Sequence, residues 1–125
     1  MIRPLLAALA CQTLSPTPGP TTGEFKGFYI NGFEVSSFVP CDMVDDLAQG
    51  TGYWLNGISE MSDQYYALVQ SSGFDQGTGY LSVYVRFNGE LSPPGGGYGH
   101  LGAYEREVTV TKLLEMSLDG QCSNN

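Results

Sequence analysis

The segment Tyr80-Leu81-Ser82-Val83-Tyr84-Val85-Arg86-Phe87 constrains the fold most, because large apolar side chains take every second position along it. Only an extended strand sends alternate side chains to one face, so Leu81, Val83, Val85 and Phe87 are expected to line an interior. One such strand is not stable alone and needs partners. The stretch 104–116 supplies one, with Arg106, Val108, Val110 and Leu114 alternating against Glu105, Glu107, Thr109 and Thr111. Phe25-Lys26-Gly27-Phe28-Tyr29-Ile30 reads as another, and the Asn31-Gly32 after it is a type I′ hairpin signal. Phe33, Val35, Ser37 and Val39 then alternate with Glu34, Ser36 and Phe38. This is either the second arm of a hairpin or one long strand bent at Gly32. The acidic, glycine-bearing stretch 42–52 reads as loop, and Tyr53-Trp54-Leu55 is a short strand stopped at Asn56-Gly57.

Between Ser59 and Ser72 the period changes, placing Met61, Tyr65 and Leu68 on one face of a helix. Ser59 or Ser62 is available as its N-cap and Gly73 as its terminator. Seventeen Gly and seven Pro beside eight Tyr and six Phe agree with a chain of turns and aromatic strands rather than long helices. Five strand-like stretches, with one short helix before the last two, make a mainly β domain. The expected architecture is a small five-stranded OB-like β-barrel, in which closure removes exposed edges. At 125 residues there is room for one such domain.

The first residues read differently. One charge at Arg3 precedes the apolar run Leu5-Leu6-Ala7-Ala8-Leu9-Ala10, the layout of a secretory signal over residues 1–10. Ala8-Leu9-Ala10-Cys11 resembles a bacterial lipobox, which implies diacylglycerol on Cys11 as the mature N-terminus. A plain signal peptide and an unprocessed tail are the alternatives. By the same resemblance, Gln12 rather than Asp after the cysteine favours the outer membrane in a Gram-negative cell. Residues 11–24, with Pro16, Pro18 and Pro20 among threonines, form a tether before a domain over 25–125. At about 3.1 Å per residue, polyproline II over residues 12–22 would hold that domain up to roughly 34 Å from its anchor. The expected location is therefore the cell envelope, lipid-anchored or periplasmic, with membrane contact only through the anchor.

Cysteine arithmetic agrees. With Cys11 set aside, Cys41 and Cys122 are an even pair able to form one disulfide outside the reducing cytosol. The other reading is a buried Cys41 and a free Cys122 in a terminal tail. The chain lacks any Cys-x-x-Cys, so thioredoxin-like redox chemistry has no footing.

Phe33-Glu34-Val35-Ser36-Ser37-Phe38-Val39-Pro40-Cys41, then Tyr53-Trp54, Val83-Tyr84-Val85-Arg86-Phe87-Asn88-Gly89, and Tyr98-Gly99-His100-Leu101-Gly102-Ala103-Tyr104-Glu105-Arg106-Glu107 resemble a family of small bacterial envelope lipoproteins. More distantly, a Cys-ended early strand, a helix and a strand ending in Gly are similar to the OB-fold domain of NlpE-type envelope-stress lipoproteins. That resemblance implies an envelope location. It does not extend to copper handling, because the metal-associated Cys-x-x-Cys is missing.

Thirteen Asp+Glu against five Lys+Arg give a formal charge of −8, which repels phosphate backbones and argues against nucleic acid as a partner. Gly97-Tyr98-Gly99-His100-Leu101-Gly102 spells G-x-G-x-x-G, with Asp119 about 20 residues on. The following residues alternate as a strand rather than opening the helix a pyrophosphate needs, so the glycines are read as a loop folded flat over Tyr98 and Tyr104. His100 is the sole histidine. A hydrolase would have to use it, with Ser92 or Cys41 as nucleophile. A hydrogen bond from His100 to Glu105 or Glu107 is the structural expectation. Asp42, Asp45 and Asp46 lack EF-hand spacing and Asp75-Gln76-Gly77-Thr78-Gly79 is no closer, so no metal and no cofactor is expected. Arg86 and Arg106 are expected to pair with Glu34, Glu105 or Glu107. Together with Tyr53, Trp54, Tyr84, Tyr98, His100 and Tyr104 they make a candidate binding face for an envelope protein or polymer. The reading is a non-enzymatic binding or structural module. The alternatives are a periplasmic inhibitor of a hydrolase and a hydrolase using His100.

Overall fold

A computed structural model describes residues 19–46, 52–75, 77 and 79–122. The signal-like segment and Cys11 lie outside the described residues. Five strands are present: β1 (Thr21–Gly32), β2 (Val35–Pro40), β3 (Tyr53–Asn56), β4 (Val83–Leu91) and β5 (Glu107–Ser117). One α-helix, α1 (Ser59–Ser72), lies between β3 and β4, and short 3-10 turns occupy Cys41–Asp46 and His100–Gly102. The chain is thus mainly β with five strands and one helix among the described residues, as its two periodicities predict.

The strands follow the order β1-β2-β3-β5-β4, and β4 pairs back onto β1, so the sheet closes into a ring. Neighbours are antiparallel except β3 and β5, which run parallel with Leu55 opposite Val108. Every strand sends side chains into one core: Tyr29 from β1, Phe38 from β2, Leu55 from β3, Val83, Val85 and Phe87 from β4, Val108 and Val110 from β5. Met61, Tyr65 and Val69 of α1 join them. Each fully buried side chain of this size contributes roughly 1.5–3 kcal/mol of transfer free energy. Phe87 meets Phe38 edge-on at 5.0 Å and stacks with Phe25 at 5.7 Å. The hydroxyl of the fully buried Tyr65 donates to the Leu81 carbonyl, which satisfies a polar group that burial would otherwise penalise. Burial pushes the Tyr29 phenol up to about 12, against a smaller opposing effect of its hydrogen bond with Ser36.

Several expectations change. β1 begins at Thr21, so four residues read as tether pair with β4 from Leu91 to Asn88. The hairpin turn is Phe33-Glu34, not Asn31-Gly32, since Gly32 is paired with Val35. Glu34 takes φ 58° and Phe33 a negative φ, so the turn is not type I′ either. On β2 the fully buried residue is Phe38, while Val35 and Val39 are half-buried. Residues 41–46 form a 3-10 turn where a loop was expected. The N-cap of α1 is Ile58, with no side-chain capping bond, so neither Ser59 nor Ser62 serves; Gly73 does end the helix, at φ 75°.

The β5 alternation fails for a definable reason. Its register with β4 shifts twice, between Arg86 and Phe87 and between Asn88 and Gly89, leaving Leu114 and Thr111 as extra residues in β5. Each extra residue reverses the alternation, so Leu113 rather than Leu114 packs against the core. Arg106 precedes the strand and is half-buried rather than interior.

Cys41 and Cys122 form a disulfide with Cα atoms 5.4 Å apart. It ties the end of β2 to the segment after β5. That segment covers the outer side of β4: the Tyr84 ring lies against Gly120, whose N–H is bound to Ser117 Oγ at 3.0 Å.

Candidate functional site

The loop between β4 and β5 carries most of the candidate face, and its own hydrogen bonds shape it. At its base the Ser92 N–H donates to the Glu107 carbonyl at 2.8 Å and the Glu107 N–H to Ser92 Oγ at 2.9 Å. Farther out Tyr98 and Tyr104 exchange backbone hydrogen bonds of 3.1 and 3.0 Å, and the chain reverses at His100-Leu101-Gly102. The loop is therefore a small ribbon, consistent with its folding flat.

That ribbon lies on β3. Gly99, at φ 75°, packs so closely on the Trp54 indole that a Cβ there would stand 2.6 Å from the ring. Only glycine meets both conditions. Tyr104 meets Trp54 edge-on at 5.4 Å. The Arg106 guanidinium sits 5.9 Å from the centre of the Tyr53 ring and donates through Nε to the Ser92 carbonyl at 2.9 Å. Tyr53, Trp54, Tyr98, Tyr104 and Arg106 are thus half-buried where the loop meets β3, and His100 is half-buried at the loop's reversal. The aromatic strand is roofed by its own loop rather than presented as an open platform.

Tyr84 and Arg86 make their contacts elsewhere, on the outer side of β4. Tyr84 is buried between Phe28, 6.0 Å away edge-on, and Gly120. Arg86 bridges Glu24 at 3.0 Å and Glu115 at 3.3 Å across the strands on either side, and those carboxylates, Glu24 foremost, hold its pKa up. The expected partners Glu34, Glu105 and Glu107 are not the ones used, because β1 extends to Glu24 and the shifted β5 register brings Glu115 opposite.

His100 does not reach Glu105 or Glu107. Its Nε2 lies 3.5 Å from Glu34 Oε1, joining the β4–β5 loop to the tip of the β1–β2 hairpin. Beside this contact stand Phe33, 80% exposed, and Leu101, 89% exposed. Glu34 and Leu101 are the only non-glycine residues at positive φ among the described residues, both at 58°. Two strained turns therefore meet, each presenting an apolar side chain to solvent. No periodicity marks Phe33 or Leu101 as exposed; the one local signal in the sequence is that each adjoins a glycine.

The nucleophiles considered for a hydrolase are otherwise engaged. Cys41 is bonded to Cys122, so it offers no thiolate. Ser92 Oγ donates to the Pro93 carbonyl at 3.1 Å and accepts from Glu107 N–H. Among the described residues no group of three or more His, Cys, Asp or Glu is placed to hold a metal ion. The side chains of Asp45 and Asp46 lie outside that description. No described helix is long and apolar enough to cross a membrane. Comparison with protein-family models, with curated proteins and with solved structures found no match.

Proposed function

We propose that this chain is an exported envelope module, lipid-anchored at Cys11, built on an OB-like β-barrel and acting by binding an envelope protein or polymer rather than by catalysis. The observation that carries this reading is the Cys41–Cys122 disulfide, which persists in oxidising compartments and not in a reducing cytosol. The signal-like residues 1–10 and the proline-rich tether point the same way. Support for the OB-like architecture is the ring order β1-β2-β3-β5-β4 with a helix between β3 and β4. In such a barrel the loops joining strands 1 to 2 and 4 to 5 flank the binding face. Here those two loops meet through Glu34 and His100 and present Phe33 and Leu101. The acidic surface disfavours nucleic acid as the ligand.

Intact mass of the protein recovered from the membrane fraction tests the reading. The expected species begins at Cys11 and carries diacylglycerol. A chain beginning at Met1 and recovered from the cytosol would overturn it.

A further inference from the structure

Phe33, Tyr66 and Tyr80 line a hollow of about 550 Å³, floored by Gly32 and bounded by Gly77 and Gly79. All three rings are open to solvent, at 80%, 42% and 50%, and none belongs to the core. Two of them are nonetheless held in place. Tyr80 packs against Gly32 of β1, where a Cβ would stand 2.3 Å from its ring. Tyr66 stands edge-on to the buried Tyr65 at 5.4 Å, and Tyr65 is in turn bonded to the carbonyl of Leu81, next to Tyr80. Two aromatic side chains packed against the domain yet left uncovered lose less freedom on binding than free ones would.

Charge selects the ligand. Glu34, next to Phe33, is turned to His100 Nε2 at 3.5 Å, which leaves Asp63 and Asp75 as the carboxylates beside the hollow. Asp63 lines the adjoining hollow, which shares Tyr66. Asp75 accepts the N–H of Gly77, which lines the hollow, at 2.9 Å. None of the described basic residues lines the hollow: Arg86 is taken by Glu24 and Glu115, Arg106 sits over Tyr53, and Lys26 and Lys112 are on the strands. Aromatic faces carry negative potential and attract a guanidinium or ammonium placed over them. We infer that this hollow receives an arginine or lysine side chain of a basic polypeptide. This goes beyond the proposed module role and depends on neither export nor lipidation.

The test is an NMR titration of the full chain with a blocked arginine tripeptide, Gly-Arg-Gly, and with its citrulline counterpart, which keeps the shape and loses the charge. The arginine peptide is expected to shift the Phe33, Tyr66 and Tyr80 ring resonances saturably, and citrulline to bind about tenfold more weakly. Joint Tyr66→Ala and Tyr80→Ala substitution should weaken the arginine peptide by about tenfold, whereas Tyr→Phe at both positions should keep it within about twofold. Should the alanine variant misfold, Phe33→Ala at the exposed turn serves instead, with a loss of about threefold. Equal binding of the citrulline peptide, no saturable shift, or ring shifts with a chito-oligosaccharide and not with the arginine peptide would each overturn the inference.

Discussion

Removal of the disulfide by Cys41→Ser together with Cys122→Ser isolates what the staple does, since no free thiol is left behind. The bridged cysteines are 81 positions apart. Closing a loop of that length in the unfolded chain corresponds to about 4.5 kcal/mol at 25 °C in the chain-entropy model. Domains of this size are stable by only about 5–15 kcal/mol, so a large part of the total would be lost. With a urea dependence of roughly 1–3 kcal/mol/M, the unfolding midpoint should fall by about 1.5–4.5 M. The stabilisation acts mostly on the unfolded chain, so the variant's circular dichroism in water should match the parent's. Locally, the segment over Tyr84 keeps its Gly120 to Ser117 hydrogen bond but loses its tie to β2, so the Gly120 amide should exchange faster. A midpoint within about 0.5 M of the parent, at unchanged slope, would refute the loop-closure reasoning.

Alkaline pH and loop packing give further tests. The folded-state pKa of Tyr29, raised by burial to about 12 from 10.0, keeps its full contribution below pH 10 and loses it as pH rises from 10 to 12. Urea unfolding across that range should show a loss of which about 2–3 kcal/mol is absent in Tyr29→Phe; an equal loss in the variant would contradict the assignment. The remaining alkaline slope is assigned in part to Tyr65, also raised by burial. Gly99→Ala should lift the β4–β5 loop from the only tryptophan in the chain, at a cost of about 1–3 kcal/mol. The Trp54 emission maximum should then move to the red; an unchanged maximum would mean that the loop does not cover the indole.

The parts of the fold legible in the sequence are those in which one local period decides burial. Val83, Val85 and Phe87 are fully buried as their spacing of two requires, and Met61 and Tyr65 at helical spacing are as well. The rest depends on pairing partners remote in sequence. Thr21, Thr22, Gly23 and Glu24 have the composition of a linker and become strand only because β4 continues to Leu91 beside them. Leu114 sits where alternation predicts an inward residue, but the register shifts opposite Phe87 and Gly89 are properties of the β4–β5 pair. The cysteine pairing is not legible, because sequence does not give the distance between the ends of β2 and β5. Of the residues grouped by their aromatic and Arg character, Trp54, Tyr104, Tyr98 and Arg106 pack near one another, whereas Tyr84 turns toward the C-terminal segment. Glu34 and His100 come together only through ring closure, which no local pattern encodes.

Closure by parallel pairing of β3 with β5 is what brings the two loops together, and a backbone NOE experiment on the isotopically labelled chain tests it most directly. Cross-peaks between the backbone protons of Leu55 and Val108, with slow exchange of the Trp54 amide bonded to the Arg106 carbonyl, are the expected result. Absence of those cross-peaks, with the Trp54 amide exchanging at the rate of an unpaired edge, would show an open sheet and leave the Glu34–His100 face without its support.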